Sequence, residues 1–240
     1  MKIGIITQAR MTSTRLPGKI LKTINDVPLL KYHADRVRQS GYPFYVATTI
    51  NETDDTIVDF CTKEGIPFYR GDEHHVLSRY YYCAKENNLD VIIRVTSDCP
   101  LVDGTLIKSA LDQYKDSFGQ YDYVSNYIER TFPRGFDFEI FSFAFLEEAF
   151  NKATLAADIE HVTPYINQNR TKKTVFYSIL NKDDKSNYRI TVDTPEDFEL
   201  IERLIVDYRA NELPASGIIA ILDQHPELVK INAHIKQKTL

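Results

Sequence analysis

The chain has 240 residues, 43% of them apolar and 26% charged, with a net charge of −5. This suits a soluble globular protein with a substantial core, and the acidic balance argues against non-specific nucleic-acid binding. No run of about 18 apolar residues occurs, so no membrane span is expected; strand-like sequence starts at once, so no signal peptide is expected and a cytoplasmic location is. The three cysteines, Cys61, Cys83 and Cys99, are odd in number and lack CxxC spacing, which speaks against a disulfide framework or structural zinc.

Charge is unevenly spread. Residues 1–50 carry eight Lys/Arg against Asp26 and Asp35, hence +6, which leaves −11 for the remaining 190. Such a distribution points to a local anion site in the first unit. Lys31, Arg36 and Arg38 read as surface decoration of a helix.

Along the chain, strands are expected at Ile3–Gln8, Phe44–Thr49, Pro67–Tyr69 and Val91–Thr96. Helices are expected between and after them, at Pro28–Gln39, Asp54–Lys63, Val76–Asn87 and Thr105–Tyr114. This alternation predicts an α/β fold with a parallel sheet covered by helices on both faces. Beyond residue 115 the rhythm changes. Strands are expected at Tyr121–Tyr127 and Phe136–Phe141, helices at Ser142–Lys152 and Asp158–Asn167, then strands at Thr174–Leu180 and Arg189–Val192. A helix opens at Pro195 with Thr194 as N-cap and runs to Arg209. Two short helices broken near His225-Pro226 close the chain. One domain over residues 1–240 is expected, with an antiparallel region inserted in the second half.

Three segments carry the chemistry. The first, Gln8-Ala9-Arg10-Met11-Thr12-Ser13-Thr14-Arg15-Leu16-Pro17-Gly18-Lys19, follows the first strand, where α/β sheets bind ligands. Its three cations and Pro-Gly turn suit a polyphosphate, such as that of a nucleoside triphosphate. It is no Walker A loop, which would need Gly at position 13 and Ser or Thr at position 20, and no dinucleotide fingerprint follows the strand. The second is Arg94-Val95-Thr96-Ser97-Asp98-Cys99-Pro100. Asp98 ends a strand, and a carboxylate beside a triphosphate implies an intervening Mg²⁺; the alternative is a turn Asp, although Asp103 fits the N-cap of the next helix better. The third, Arg189-Ile190-Thr191-Val192-Asp193-Thr194-Pro195-Glu196-Asp197, repeats the pattern. Asp193 reads as either the second metal ligand or a helix cap.

These three segments, in this order, resemble the cytidylyltransferase family that activates acidic sugars such as octulosonates and acylneuraminates. Phe132-Pro-Arg-Gly-Phe-Asp-Phe-Glu139 and Glu160-His-Val-Thr-Pro-Tyr165 are similar to segments of its spore coat polysaccharide biosynthesis protein F branch. The resemblance implies a nucleotide-diphospho-sugar-transferase-like (Rossmann-like) α/β/α fold with CTP as donor and Mg²⁺ as cofactor. It places Gln8, Ala9, Arg10, Arg15, Lys19, Asp72, Arg79, Thr96 and Ser97 at the nucleotide, with Arg15, Lys19 and Asp98 catalytic. It makes Asp98 and Asp193 metal ligands, and it puts residues 1–115 on the nucleotide side and 116–240 on the acceptor and dimer side.

Asn126, Arg134, Asp137, Glu139 and His161 are expected around an acidic sugar or sugar-phosphate acceptor, with surface or spore-coat polysaccharide as the pathway. Arg134 suits a carboxylate or phosphate, and His161 is either a base or a structural residue. Gly71–Tyr80 departs from the Ser-Gly-Thr-Asp-Arg pattern of the octulosonate enzymes. Tyr80, Tyr81 and Tyr82 read as helix packing rather than a stacking platform, and Cys99 as a small turn residue. Phe136–Phe145 is read as a homodimer face or as core. The alternatives are a metal-dependent glycosyltransferase, whose Asp-x-Asp is not matched by Asp98-Cys99-Pro100, a nucleotidyltransferase using another triphosphate, and a silent nucleotide-binding scaffold.

Overall fold

In the computed structural model, which describes residues 1–117 and 119–237, β1 (Ile3–Gln8) is an interior strand of a seven-stranded sheet. A two-residue turn at Asn25-Asp26, both at positive φ (50° and 61°), joins β2 (Thr23–Ile24) to β3 (Val27–Pro28) in a small separate hairpin. Then follow α1 (Leu29–Arg38), β4 (Phe44–Thr49), α2 (Asp55–Lys63), β5 (Phe68–Gly71), α3 (Val76–Glu86), β6 (Val91–Thr96) and α4 (Gly104–Asp116). The second half contributes β7 (Tyr123–Ser125), β8 (Glu139–Ser142), α5 (Phe143–Lys152), α6 (Ala156–His161), α7 (Pro164–Asn167) and β9 (Phe176–Ser178). It ends with α8 (Pro195–Tyr208), α9 (Ala215–Gln224) and α10 (Pro226–Asn232). The last three residues of the expected domain, 238–240, lie outside the described residues.

The sheet order is β5-β4-β1-β6-β8-β7-β9. The first four strands are parallel, β8 runs against both its neighbours, and β9 is parallel to β7. The architecture is therefore the expected mostly parallel α/β/α sheet with an antiparallel insertion, and one sheet runs through both halves of the chain. Alternation of side chains on the strands feeds two cores. Ile5, Val46, Ile93 and Val95 face one core, shared with Leu30 of α1, Ile57 of α2, Ile107 of α4 and Leu204 of α8. Ile6, Ala47 and Ile92 face the other, with Leu77 of α3, Leu146 of α5 and Ile166 of α7. No helix among the described residues is long and apolar enough to cross a membrane.

Several expectations are corrected. Arg189–Val192 is no strand. Ile190 N–H donates to Arg134 O (2.7 Å) and Val192 N–H to Asp98 O (2.8 Å), so the segment divides its bonds between two partners and makes only an isolated bridge. The helix expected at Asp158–Asn167 is two helices, because Val162 has φ 73° and Pro164 cannot donate to a preceding turn. The strand expected from Phe136 starts at Glu139. Asn126 accepts from Phe138 N–H (3.0 Å) and donates to Phe136 O (2.8 Å), diverting those groups from the sheet. The β2–β3 hairpin was not expected at all.

Phe136, Phe138 and Phe141 are buried within the chain, as in the core reading. Tyr80 and Tyr81 are buried too, and Tyr81 stacks on Phe150 with ring centroids 4.1 Å apart.

Arg36 is not surface decoration. It is buried beneath α1, where its guanidinium donates to Val102 O (2.9 Å), Leu101 O (3.3 Å) and Leu213 O (2.7 Å). Burial lowers its pKa, and the nearby Asp103 works against that shift. Asp103 caps α4 as expected and also accepts from Ala215 N–H (2.6 Å). At this junction a Cβ on Gly104 would lie 2.3 Å from Arg36 O and 2.8 Å from Ser40 N. Backbone atoms cannot swing aside, so Gly104→Ala is expected to cost roughly 1–3 kcal/mol of stability by forcing α4 off α1. A denaturant midpoint equal to that of the parent protein would refute it.

Candidate active site

The N-terminal loop is closed by its own backbone: Gly18 N–H donates to Met11 O (3.0 Å), with Gly18 at φ 66°, a conformation glycine adopts at little cost. Buried Asp54 holds the start of the loop through Met11 N–H (2.7 Å). Lys19 follows in a short 3₁₀ turn and points back across the sheet edge. Its ammonium donates to Val192 O (2.7 Å) and Asp193 Oδ1 (2.8 Å), and lies 3.4 Å from Asp98 Oδ2. Arg15 reaches the same Asp193 Oδ1 at 3.0 Å. Asp98 is carried to this point by the end of β6. Its carbonyl accepts from Val192 N–H and the Thr191 hydroxyl (3.2 Å), which fastens the Asp98 turn to the segment before α8.

Thus four residues from three distant segments converge: Arg15, Lys19, Asp98 and Asp193. Burial alone would lower the Lys19 pKa, but Asp98 and Asp193 outweigh it and hold it above its ordinary value. Burial alone would raise Asp193, but Lys19, Arg15 and Arg189 outweigh it and hold the carboxyl below its ordinary range. The stability from Asp193 is therefore present above the ordinary carboxylate pKa and lost as pH falls through its folded value. That from Lys19 is present below its ordinary pKa and lost as pH rises through the folded one. Together the pair spans roughly pH 4 to 10.5.

Asp193 is not a helix cap. Thr194 caps α8 in a capping box with Asp197, which leaves the Asp193 carboxylate to the cations. Asp98 and Asp193 both lie within 3.4 Å of the one Lys19 ammonium. Among the described residues no group of three or more His, Cys, Asp or Glu forms a metal cluster.

Most of the remaining residues expected at the nucleotide are held by neighbouring groups. Gln8 is held by the Tyr80 hydroxyl through its backbone N–H and its side-chain carbonyl. Ala9 is buried, with its N–H donating to Ala47 O (3.2 Å). Arg10 pairs with Glu73 (2.9 Å), which also accepts from Thr12 and from Asn51 (2.6 Å). Asp72 is exposed and accepts from His74 N–H (2.6 Å) and His75 N–H (3.1 Å). Arg79 is buried and donates to the carbonyls of Asp72 (2.8 Å) and Glu73 (3.0 Å), so it props this loop from beneath. Thr96 and Ser97 lie on the run into Asp98. Cys99 is buried, and burial with the Asp98 charge pushes its thiol pKa well up, which keeps it a protonated turn residue.

The acceptor-side residues are less united. Asn126 and Glu139, expected at the acceptor, are buried and bonded inside the chain: Asn126 to the 136–138 turn, Glu139 to Arg94 and the Tyr123 hydroxyl. Their bonds fix the 136–138 turn and the start of β8. Asp137 pairs with Arg130 (2.6 Å) and accepts from Gly135 N–H (3.1 Å). His161 ends α6, half-buried, and burial holds its pKa below the ordinary value. Arg134 lines a cavity with Arg189 and the C-terminal segment.

Sequence reading did not single out Arg189, Asp197, Glu73 or Asp54. Arg189 stands inside a quoted motif, and its spacing of four and eight residues from Asp193 and Asp197 was the available signal.

Known proteins of one family are similar to this chain along its length. The cytidylyltransferase family profile matches residues 3–225. An uncharacterized protein of Methanocaldococcus jannaschii is 36% identical over 245 residues, covering 100% of this chain and 98% of that protein. The spore coat polysaccharide biosynthesis protein SpsF of Bacillus subtilis is 34% identical over 236 residues, 94% of this chain and 95% of that protein. The solved structure of a cytidylyltransferase from Leptospira borgpetersenii is similar along 100% of this chain and 99% of its own, with a TM-score of 0.91 at 34% identity. The chain belongs to the cytidylyltransferase family and is a nucleotidyltransferase.

Proposed function

We propose that this enzyme transfers CMP from CTP to an acidic sugar or sugar-phosphate-like acceptor, with release of pyrophosphate and with Mg²⁺ as cofactor, in surface or spore-coat polysaccharide synthesis. The observation that carries the reading is the convergence of Lys19 and Arg15 on Asp98 and Asp193 at the C-terminal edge of the parallel strands. Asp98 and Asp193 are the residues that would hold Mg²⁺, their hard oxygens suiting it and nucleotide phosphates completing its shell. When bound, the ion supplies charge neutralisation at the phosphates.

The acceptor oxygen attacks the α-phosphorus, the bond from that phosphorus to the bridging oxygen breaks, and pyrophosphate leaves. Negative charge spreads over the α-phosphate oxygens and the leaving group. Arg15 and Lys19 are fixed cations facing that charge, and their alignment by the loop closure and by Val192 O is in place before substrate arrives. Arg10 extends the cationic edge. Arg134, Asp137 and His161 are the proposed acceptor contacts, with the 136–138 turn and the start of β8 fixed by Asn126 and Glu139.

Thermal unfolding with CTP, UTP, ATP or GTP, each with and without Mg²⁺, tests the donor. Binding at a hundredfold excess over Kd adds about 2.7 kcal/mol of stability. A CTP-selective shift that grows with Mg²⁺ and disappears in Asp98→Ala is expected. Stabilisation by a nucleotide sugar alone would replace this reading with a glycosyltransferase, and preference for another triphosphate would change the donor.

A further inference from the structure

Arg189 is the most heavily engaged buried cation near the site. Its Nη2 donates to Asp193 Oδ2 (2.8 Å) and Asp197 Oδ2 (2.9 Å), its Nε donates to Asp197 Oδ1 (2.8 Å), and its Nη1 donates to the side-chain carbonyl of Gln237. Asp193 thus has one oxygen tied to Arg189 and the other turned to Lys19 and Arg15. Asp197 carries a second load, accepting from Asp193 N–H (2.9 Å) and Thr194 N–H (3.1 Å). Asn232, at the end of α10 and buried, donates to both Asp197 Oδ1 (2.8 Å) and Arg189 O (3.0 Å).

A chain of hydrogen bonds therefore runs from α10 through Asp197 and Arg189 to Asp193. A cavity of about 120 Å³, lined by Arg134, Arg189, Leu222, Val229 and Asn232 among others, lies against it. Arg189 is not packed on every side, so these bonds rather than close packing fix its direction. Asn232 and Gln237 stand C-terminal to the family segment, which ends at residue 225.

We propose that Arg189, clamped by Asp197 and by Asn232 and Gln237 of the C-terminal segment, is the positioning residue that aims Asp193 at the cation site. The inference rests on the proposed role of Asp193 as a metal ligand and adds what sets its aim. A carboxylate free to rotate about its Cα–Cβ and Cβ–Cγ bonds loses the geometry a small divalent cation demands. Removal of partners that orient a ligating side chain weakens metal affinity by about 10–100-fold.

The experiment is calorimetric titration of CTP into the full-length protein across a Mg²⁺ series, for the parent protein and for Asn232→Leu, Gln237→Ala, Arg189→Lys and Arg189→Met. The Mg²⁺ concentration that half-maximally enhances CTP binding is expected to rise about tenfold or more in Asn232→Leu and Arg189→Met. The rise in Arg189→Lys should be smaller, since an ammonium keeps one of the bonds. CTP affinity without Mg²⁺ is expected to stay within about twofold, because Arg10, Arg15 and Lys19 are untouched. Gln237 is exposed, so Gln237→Ala keeps the fold and should show a rise of roughly two- to threefold. Unchanged Mg²⁺ dependence in Gln237→Ala and in whichever other variants melt cooperatively would overturn the positioning role while leaving the proposed function standing. Absence of any Mg²⁺ effect in the parent protein would overturn the metal reading itself, and this inference with it.

Discussion

Replacing Lys19 with Met is expected to lower the rate of pyrophosphate release from CTP by about 10²–10³, the loss typical of one fixed donor at a developing oxyanion. The assay is run against a panel of 2-keto-3-deoxy sugar acids and sugar phosphates. The ammonium has three roles in one place: it bonds Val192 O, it balances Asp193, and it lies within ion-pair distance of Asp98. Arg cannot substitute for it, since a planar fork does not fit a position that needs a compact cation between two carboxylates. The variant also makes a second, independent forecast. With the ammonium gone, the two carboxylates repel with only Arg15 and Arg189 left against them on Asp193. The free protein should melt at a lower temperature, and added Mg²⁺ should stabilise it more than it stabilises the parent. Activity within threefold of the parent, or equal Mg²⁺ effects on both, would remove Lys19 from the centre of the site.

The largest effect on stability is expected from Arg36→Met, on the order of 3–5 kcal/mol, because three carbonyls lose the charged donor they share. The side chain length is kept, so little packing is lost. What is lost is the fork that serves Leu101, Val102 and Leu213 carbonyls, each left buried without its donor at a cost of about 1–3 kcal/mol before relaxation. Those carbonyls belong to the turn after Asp98 and to the approach to α9, so with Arg36 itself the loss touches all three thirds of the chain. Arg36→Lys should recover only part of it, since one ammonium cannot meet three diverging oxygens. Equilibrium urea unfolding reads the difference; a change under 1 kcal/mol would show that water replaces the guanidinium there.

How far the sequence revealed the molecule follows from where the forces are local. Strands β1, β4 and β6 were legible to the residue, because buried parallel strands are continuous β-branched or aromatic runs ending in polar residues. Thr194 and Asp103 were legible as caps because capping acts within three residues. Asp98 was placed by its position just past β6 and Lys19 by its loop after β1, whereas Asp193 was read at the end of a strand that does not form. Long-range compensation was not. Arg36 falls where a surface cation of an amphipathic helix would fall, and only the docking of the 101–103 turn and of Leu213 makes it interior. Asn126 and Glu139 carry chemistry suited to a sugar, and only Phe138 N–H, Phe136 O, Arg94 and Tyr123 claim it first. Residues 189–192 have strand composition, yet their partners come from two places, and composition holds no information on that.

The reversal of β8 has a consequence for how such enzymes diversify. In a uniformly parallel sheet every loop at the ligand-bearing end leads into a helix that must repack if the loop changes length. Here β7 rises to Ser125 and β8 descends from Glu139, with Glu139 opposite Arg94, so residues 126–138 form a turnaround at that end which rejoins the sheet directly. Lengthening such a segment carries a small entropic cost, about 0.6 kcal/mol for each doubling. It shifts no helix on the β1–β4–β6 side, where Arg15, Lys19 and Asp98 stand. A change of length there leaves β1, β4 and β6 undisturbed, while the bond from Ile190 N–H to Arg134 O carries its effect toward the segment that ends in Asp193.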